Sequence, residues 1–271
     1  MTYQKLTDEI RNLSSLKGID TIIIGHSVLG RPIHAFHLGD YSENQIIITG
    51  AIHAREWITA LLVVELVKKY AGMPMNGGIY FIPLCNPDGV EIALDSEPLW
   101  KANARGVDLN VNFDADWGGG VYNVRVPGPE NYIGQHPNSE PETRALIDFT
   151  LKVNPKITIA YHSKGEVIYY GFESKDGRAT KTQLLRDHKL ATLIGEITGY
   201  EPVKTQNSTG GYSDWVSMHL GIPALTIEVG NDNYSHPIGP DKLPEIFDQN
   251  KTVPIILLKT LATSDTAQSP L

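Results

Sequence analysis

Short β-branched runs that alternate with segments of helical periodicity constrain this chain more than any other feature. The run Gln45-Ile46-Ile47-Ile48-Thr49 is apolar at successive positions, as a strand buried on both faces must be, and from Glu56 to Tyr70 apolar residues recur at helical spacing. The pattern opens with a helix over 3–16, carried by Leu6, Ile10 and Leu13 and stopped by Lys17-Gly18. Two β-rich segments, 21–24 and 33–38, then flank a turn through Gly30-Arg31-Pro32 and read as a hairpin on an antiparallel edge. Strands follow over 45–52, 77–83, 156–161, 167–170 and 224–229, with helices over 55–71, 141–151, 180–198 and 212–220. A final amphipathic helix over 241–262 is interrupted near Pro254, and 263–271 reads as a loose tail. Strands in alternation with helices imply an α/β fold: a single domain with a mixed, mainly parallel central sheet and helices on both faces. A chain of 271 residues can bury the core such a domain needs without a second one.

Two stretches break the alternation. Asn86-Pro87-Asp88-Gly89 has turn chemistry and is expected to close the strand before it. Residues 97–140 are rich in Gly, Pro, Asn and Asp and have little periodicity. A loop region this long inside a compact domain is usually functional or disordered, and Trp100, Trp117, Tyr122 and Tyr132 favour function. The formal net charge is -8 with acids and bases interspersed, which argues against nucleic acid as a partner. Cys85 is the only cysteine, so neither an internal disulfide nor a metal site built on several thiolates is possible. The first residues lack the apolar core of a signal peptide, and no apolar run is long enough to span a bilayer. The expectation is a cytoplasmic protein without a membrane partner.

The strand-to-helix junction Gly50-Ala51-Ile52-His53-Ala54-Arg55-Glu56-Trp57 carries the first candidate chemistry. His53 and Glu56 are three apart where helical geometry begins, so an imidazole and a carboxylate can converge on one point. That geometry suits zinc, which takes nitrogen from neutral His and oxygen from Glu; a catalytic site needs one more protein ligand. Taken alone, the pair is a weak signal that reads more often as a surface His and a solvated Glu. In parallel sheets ligands bind beyond the carboxyl ends of the strands. His53, His162 and Glu228 all stand at or just past predicted strand ends, which brings them to one rim. His162 is then the natural third ligand, although a lone strand-end His is more often satisfied by a carbonyl. Glu228 follows Ala224-Leu225-Thr226-Ile227, and leaving it buried and unpaired would cost several kcal/mol. Beside a metal it could take a proton from water and pass it to a leaving nitrogen.

The ordered segments Gly30-Arg31, His53-Ala54-Arg55-Glu56-Trp57, Asn86-Pro87-Asp88-Gly89, Gly106-Val107-Asp108-Leu109-Asn110, Ser139-Glu140-Pro141-Glu142, His162-Ser163, Gly211-Tyr212-Ser213-Asp214-Trp215 and Thr226-Ile227-Glu228 resemble the zinc carboxypeptidases over nearly the full length. The resemblance implies a carboxypeptidase-like fold and one zinc ion held by His53, Glu56 and His162. It also implies Glu228 as general base and acid, and Arg55 as a residue beside the metal that touches substrate. The oxyanion-stabilising arginine of the family falls on Ala104 by direct count, so the neighbouring Arg105 takes that role. Asp108 either orients a zinc-bound His through its second ring nitrogen or caps local amides as a turn residue, and Asp88 stays outside the catalytic set.

Departures from the family pattern bear on substrate. The family's Asn-Arg pair, whose Arg clamps a terminal carboxylate, is Asn110-Val111 here, and Gln206 stands at the count of the tyrosine that closes over substrate. The sequence looks closest to the bacterial branch that cuts γ-D-glutamyl-meso-diaminopimelate bonds in cell-wall peptides, which implies a murein peptide as partner. Asn110, Val111, Gln206, Ser213, Arg125 and Lys164, with Asp232, are the candidate substrate-binding residues. Two alternatives stay open: a broader metallocarboxypeptidase anchored by Arg125 or Lys164, and a zinc-containing protein that binds wall peptides without cutting them.

Overall fold

The computed structural model describes residues 1–172 and 180–266. Eight strands form one mixed sheet: β1 (Asp20–His26), β2 (Pro32–Gly39), β3 (Gln45–Thr49), β4 (Gly78–Ile82), β5 (Ile157–His162), β6 (Val167–Tyr170), β7 (Glu201–Lys204) and β8 (Ala224–Glu228). Their spatial order is β1-β2-β4-β3-β5-β8-β6-β7. The centre, β4-β3-β5-β8, is parallel throughout. The β1-β2 hairpin is antiparallel and carries one edge, as expected; β6 joins β8 antiparallel, and β7 then runs parallel to β6.

The strand residues alternate between two cores. Ile46 and Ile48, Ile79 and Phe81, Ile159 and Tyr161, and Leu225 and Ile227 face one side. Ile47, Tyr80, Ile82, Ala160 and Ala224 face the other. This is the period-2 consequence of the pleat. On the first side pack α1 (Tyr3–Asn12), α2 (Ile58–Tyr70), α3 (Pro87–Asp95), α5 (Lys181–Thr198), α7 (Leu243–Asn250) and α8 (Val253–Thr266). On the second pack α4 (Pro141–Val153), α6 (Tyr212–Leu220) and loop residues Leu109, Phe113 and Ala115. Ile46, Ile47 and Ile48 are fully buried, worth about 1.5–3 kcal/mol each against exposure. The single thiol, Cys85, is buried, and burial pushes it up to about 12, which leaves it unreactive.

Several expectations are corrected. Asn86-Pro87-Asp88-Gly89 opens a helix instead of closing a turn: Asn86 caps α3 by accepting from the Gly89 N–H at 3.0 Å, and Pro87 sits in the first turn. Asp88 is fully buried and holds the β1-β2 hairpin, accepting from Ser27 Oγ, Leu29 N–H and Arg31 Nη1 at 2.8, 2.9 and 2.6 Å. Strand β7 is not among the strands expected from the sequence, because Glu201-Pro202-Val203-Lys204 is short and polar, as an edge strand of the sheet can be. The final helix divides at 251–252, ahead of Pro254, and α8 runs to 266 where a loose tail from 263 was expected; 267–271 lie outside the described residues. Among the described residues no helix is long and apolar enough to cross a membrane.

Candidate metal centre and its cavity

Strand β3 ends at Thr49, and the next residues carry the chain over the sheet edge. A Cβ on Gly50 would meet the Thr59 carbonyl oxygen at 2.8 Å, so only glycine permits this approach of α2 to the strand end. Ala51 adopts φ 48°, with its N–H held by Thr59 Oγ1 at 2.8 Å. His53 then stays extended, and Ala54–Glu56 form one 3₁₀ turn that leads into α2. The turn sets both side chains towards the end of β5, whose last residue is His162.

Among the described residues, His53, Glu56 and His162 are the group whose donor atoms lie within 4.8 Å of one another, and all three are buried. His53 Nδ1 is 2.8 Å from Glu56 Oε1, and His162 Nδ1 is 3.1 Å from Glu56 Oε2 and 3.0 Å from His53 Nδ1. Two imidazole nitrogens and a carboxylate thus face one point. Between neutral rings at most one such nitrogen can donate to the other, whereas a divalent cation satisfies all three donors at once; the residues fit zinc. Burial alone would disfavour charge here, but Glu56 raises the His53 imidazole, and the two rings hold the Glu56 carboxyl well below the usual carboxylate range. Ser163 N–H donates to Glu56 Oε2 at 3.1 Å and fixes the carboxylate.

Asp108 caps the local turn and stands beside His53, where the orienting role would place it. It caps the 3₁₀ turn Leu109–Val111 by accepting from the Asn110 N–H at 3.1 Å, and its Oδ1 lies 3.3 Å from His53 Nε2. That contact leaves His53 Nδ1 free to ligate. Oδ2 pairs with Lys101 Nζ at 2.9 Å. Burial works against ionisation of Asp108, yet Lys101 and His53 outweigh it and hold the carboxyl far below its ordinary value.

In front of the centre is a cavity of about 320 Å³, lined by His53 and His162, by Glu228 and Lys101, and by a wall of amides and hydroxyls. Glu228 ends β8 in register with His162 on β5, one inter-strand spacing away. Burial and then the Glu56 carboxylate push the Glu228 carboxyl up to about 8, against opposing pulls from His162, Lys101 and Arg55. Its Oε2 is buried without a hydrogen-bond partner among the described residues.

The predicted residues divide sharply. Asn110, Val111, Gln206 and Ser213 line the cavity. Asn110 Oδ1 accepts from the Tyr212 N–H at 3.0 Å, and Ser213 Oγ lies 2.9 Å from Thr226 Oγ1. Arg105 is not brought there: it is half exposed, 3.6 Å from Glu140, and lines a separate hollow with His136 and Ser139. Arg55, between the two ligands in sequence, donates to Glu130 at 3.1 Å and to the Leu99 carbonyl at 3.5 Å rather than lining the cavity. Arg125 is exposed over the Trp117 ring at 5.7 Å, and Lys164 pairs with Asp232 at 2.9 Å; neither they nor Asp232 belong to the lining. The cation that does line it is Lys101. Its side chain is largely buried, and its backbone carbonyl accepts from the Ala54 N–H at 3.0 Å, tying the 97–140 region to the metal turn. The sequence signal for it was its place after Trp100, in a region without periodicity.

Residues 10–252 match the family model described as zinc carboxypeptidase. A γ-D-glutamyl-L-diamino acid endopeptidase of Lysinibacillus sphaericus is 30% identical over 277 residues, covering 87% of this chain and 67% of its own length. Bovine thrombin-activatable fibrinolysis inhibitor has the same fold, with a TM-score of 0.81 at 20% identity over 97% of this chain and 96% of its own. The murein-tripeptide amidase MpaA of Escherichia coli O157 shares it with a TM-score of 0.59 at 22% identity, over 88% and 91% of the two chains. The ordered motifs, the sheet that gathers them and the match across most of the length agree: this chain belongs to the zinc carboxypeptidase family, a family of zinc-dependent peptidases.

Proposed function

We propose that this chain hydrolyses an amide bond in murein-derived peptides, the γ-D-glutamyl bond to a diamino acid such as meso-diaminopimelate. The observation that carries the reading is the cavity wall. Val111 occupies the position where the family pattern places a carboxylate-clamping arginine, and around it stand Asn110, Asn131, Gln206, Ser213 and Thr226. Such a wall suits a leaving residue whose side chain ends in a second amino-acid centre, with several polar atoms to satisfy. The Lysinibacillus relative, named for action on a γ-D-glutamyl-L-diamino acid bond, supports the same choice.

His53, Glu56 and His162 would hold the zinc ion, which when bound polarises the scissile carbonyl and lowers the pKa of an attacking water. Glu228, whose Oε2 is unpaired among the described residues beside the centre, would accept the proton from the attacking water and return it to the leaving nitrogen. Lys101, lining the cavity with its charge braced by Asp108, faces the negative charge that develops on the carbonyl oxygen. Asp108 keeps the His53 ring oriented. The broader carboxypeptidase reading loses its anchors, since Arg125 and Lys164 stand outside the lining. The non-catalytic reading has to leave Glu228 at the centre without work. The test is incubation with L-Ala-γ-D-Glu-meso-diaminopimelate and with a panel of ordinary peptides, with and without chelator, read by mass spectrometry. Chelator-sensitive release of diaminopimelate is expected; cleavage of the ordinary peptides alone would overturn the murein assignment.

A further inference from the structure

Residues 116–126 arch beside the cavity mouth, and the arch is braced from both sides. Towards the loop floor, Val124 N–H donates to the Asn131 carbonyl at 2.9 Å, Ile133 N–H to the Val124 carbonyl at 3.2 Å, and the Trp117 indole to the Ile133 carbonyl at 2.9 Å. Towards the opposite wall, Val121 N–H donates to the Asn207 carbonyl at 3.3 Å and Thr209 Oγ1 to the Asp116 carbonyl at 3.0 Å. The tip closes with the Asn123 N–H on the Gly120 carbonyl at 3.3 Å.

Two side chains at this tip take no part in holding it. Tyr122 lines the cavity while 78% exposed, and its hydroxyl has no partner among the described residues. Asn123 also lines the cavity, and its amide nitrogen is buried with no hydrogen-bond partner there. Buried donors in folded proteins are nearly always paired, so an unpaired one on a residue that lines a cavity points to an acceptor supplied from outside. An exposed tyrosine offers an apolar ring and a polar tip at little conformational cost, the combination enriched at binding surfaces. The bracing means that neither residue requires a loop to be ordered when a ligand arrives.

We propose that Tyr122 and Asn123 form a substrate subsite at the cavity rim: the Asn123 amide donates to a carbonyl or carboxylate oxygen of the bound peptide, and the Tyr122 ring covers the adjoining part of its chain. This rests on the proposed peptide substrate but not on which peptide is cut. Tyr122→Ala, Tyr122→Phe and Asn123→Ala are compared on L-Ala-γ-D-Glu-meso-diaminopimelate for KM and kcat. The same changes in a Glu228→Gln background are titrated calorimetrically with the uncleaved tripeptide. Both alanine variants should raise KM and Kd about tenfold while kcat stays within about twofold, and Tyr122→Phe should keep most of the affinity. Tyr122 is exposed, so its truncation tests the rim even where Asn123→Ala disturbs the turn. Unchanged Kd in both alanine variants would overturn the subsite. If the unaltered protein cuts only ordinary peptides, the murein reading fails separately, and the same variants on those peptides decide the subsite by the same tenfold criterion.

Discussion

Asp108→Asn tests the centre without touching a metal ligand. Asp108 has no solvent exposure, accepts from the Asn110 and Asn131 N–H groups at 3.1 and 3.2 Å, pairs with Lys101 at 2.9 Å and lies 3.3 Å from His53 Nε2. Asparagine keeps the shape and one carbonyl oxygen, so the change is chiefly the loss of a negative charge. Breaking a buried pair by removing one partner costs about 3–5 kcal/mol. The Lys101 side chain is 16% exposed at the cavity, which brings solvent to the stranded ammonium and moves the expected loss to about 3 kcal/mol or less. His53 also loses the carboxylate beside Nε2, and removal of such a partner weakens metal binding about 10–100-fold. Zinc affinity is read by competition with a chromophoric chelator, and stability by urea unfolding with and without zinc. Adding Lys101→Met should recover much of the stability but none of the zinc affinity, because the two losses have different origins. Zinc affinity within about twofold of the unaltered protein would refute the role given to Asp108.

Glu228→Gln should keep the metal while turnover falls about 10²–10⁴-fold; retained turnover removes Glu228 from the reaction. The same variant reports on proton linkage. Glu228 is raised from 4.5 to about 8, so between these pH values the folded metal-free chain holds a proton that the unfolded chain has released. This contribution to stability is full below the unfolded value and is lost as pH rises through the folded one. Chelated protein should therefore lose more stability between pH 5 and 8 than chelated Glu228→Gln in denaturant titrations, and equal slopes would contradict the raised carboxyl. Val111→Arg places a bidentate donor in the cavity wall, so kcat/KM on ordinary C-terminal peptides should rise relative to the murein tripeptide. No change in the ratio would put substrate choice elsewhere.

The periodic parts of the chain could be read without coordinates. Ile46 to Ile48 and Ile157 to Tyr161 are apolar enough to belong only in the middle of a sheet, and the helical stripes between them leave few arrangements. Because strand ends in such sheets meet at one rim, His53, Glu56, His162 and Glu228 could be grouped from their places in the pattern, and the structure brings them together. Residues 97–140 have no such regularity. There a side chain's direction depends on distant partners: Asn103 bridging Glu140 and Glu142 beside Arg105, Asp108 drawing Lys101 inward, Asn207 and Asp116 bracing the arch that carries Tyr122. Local sequence carries no trace of those long-range bonds. Counting positions falls on Ala104 and its neighbour Arg105, whereas the cation that the fold turns to the cavity is Lys101. The pleat and the helix turn, repeating every few residues, let the sequence alone determine which groups reach the rim; which charges and donors face the cavity was decided only by tertiary contacts.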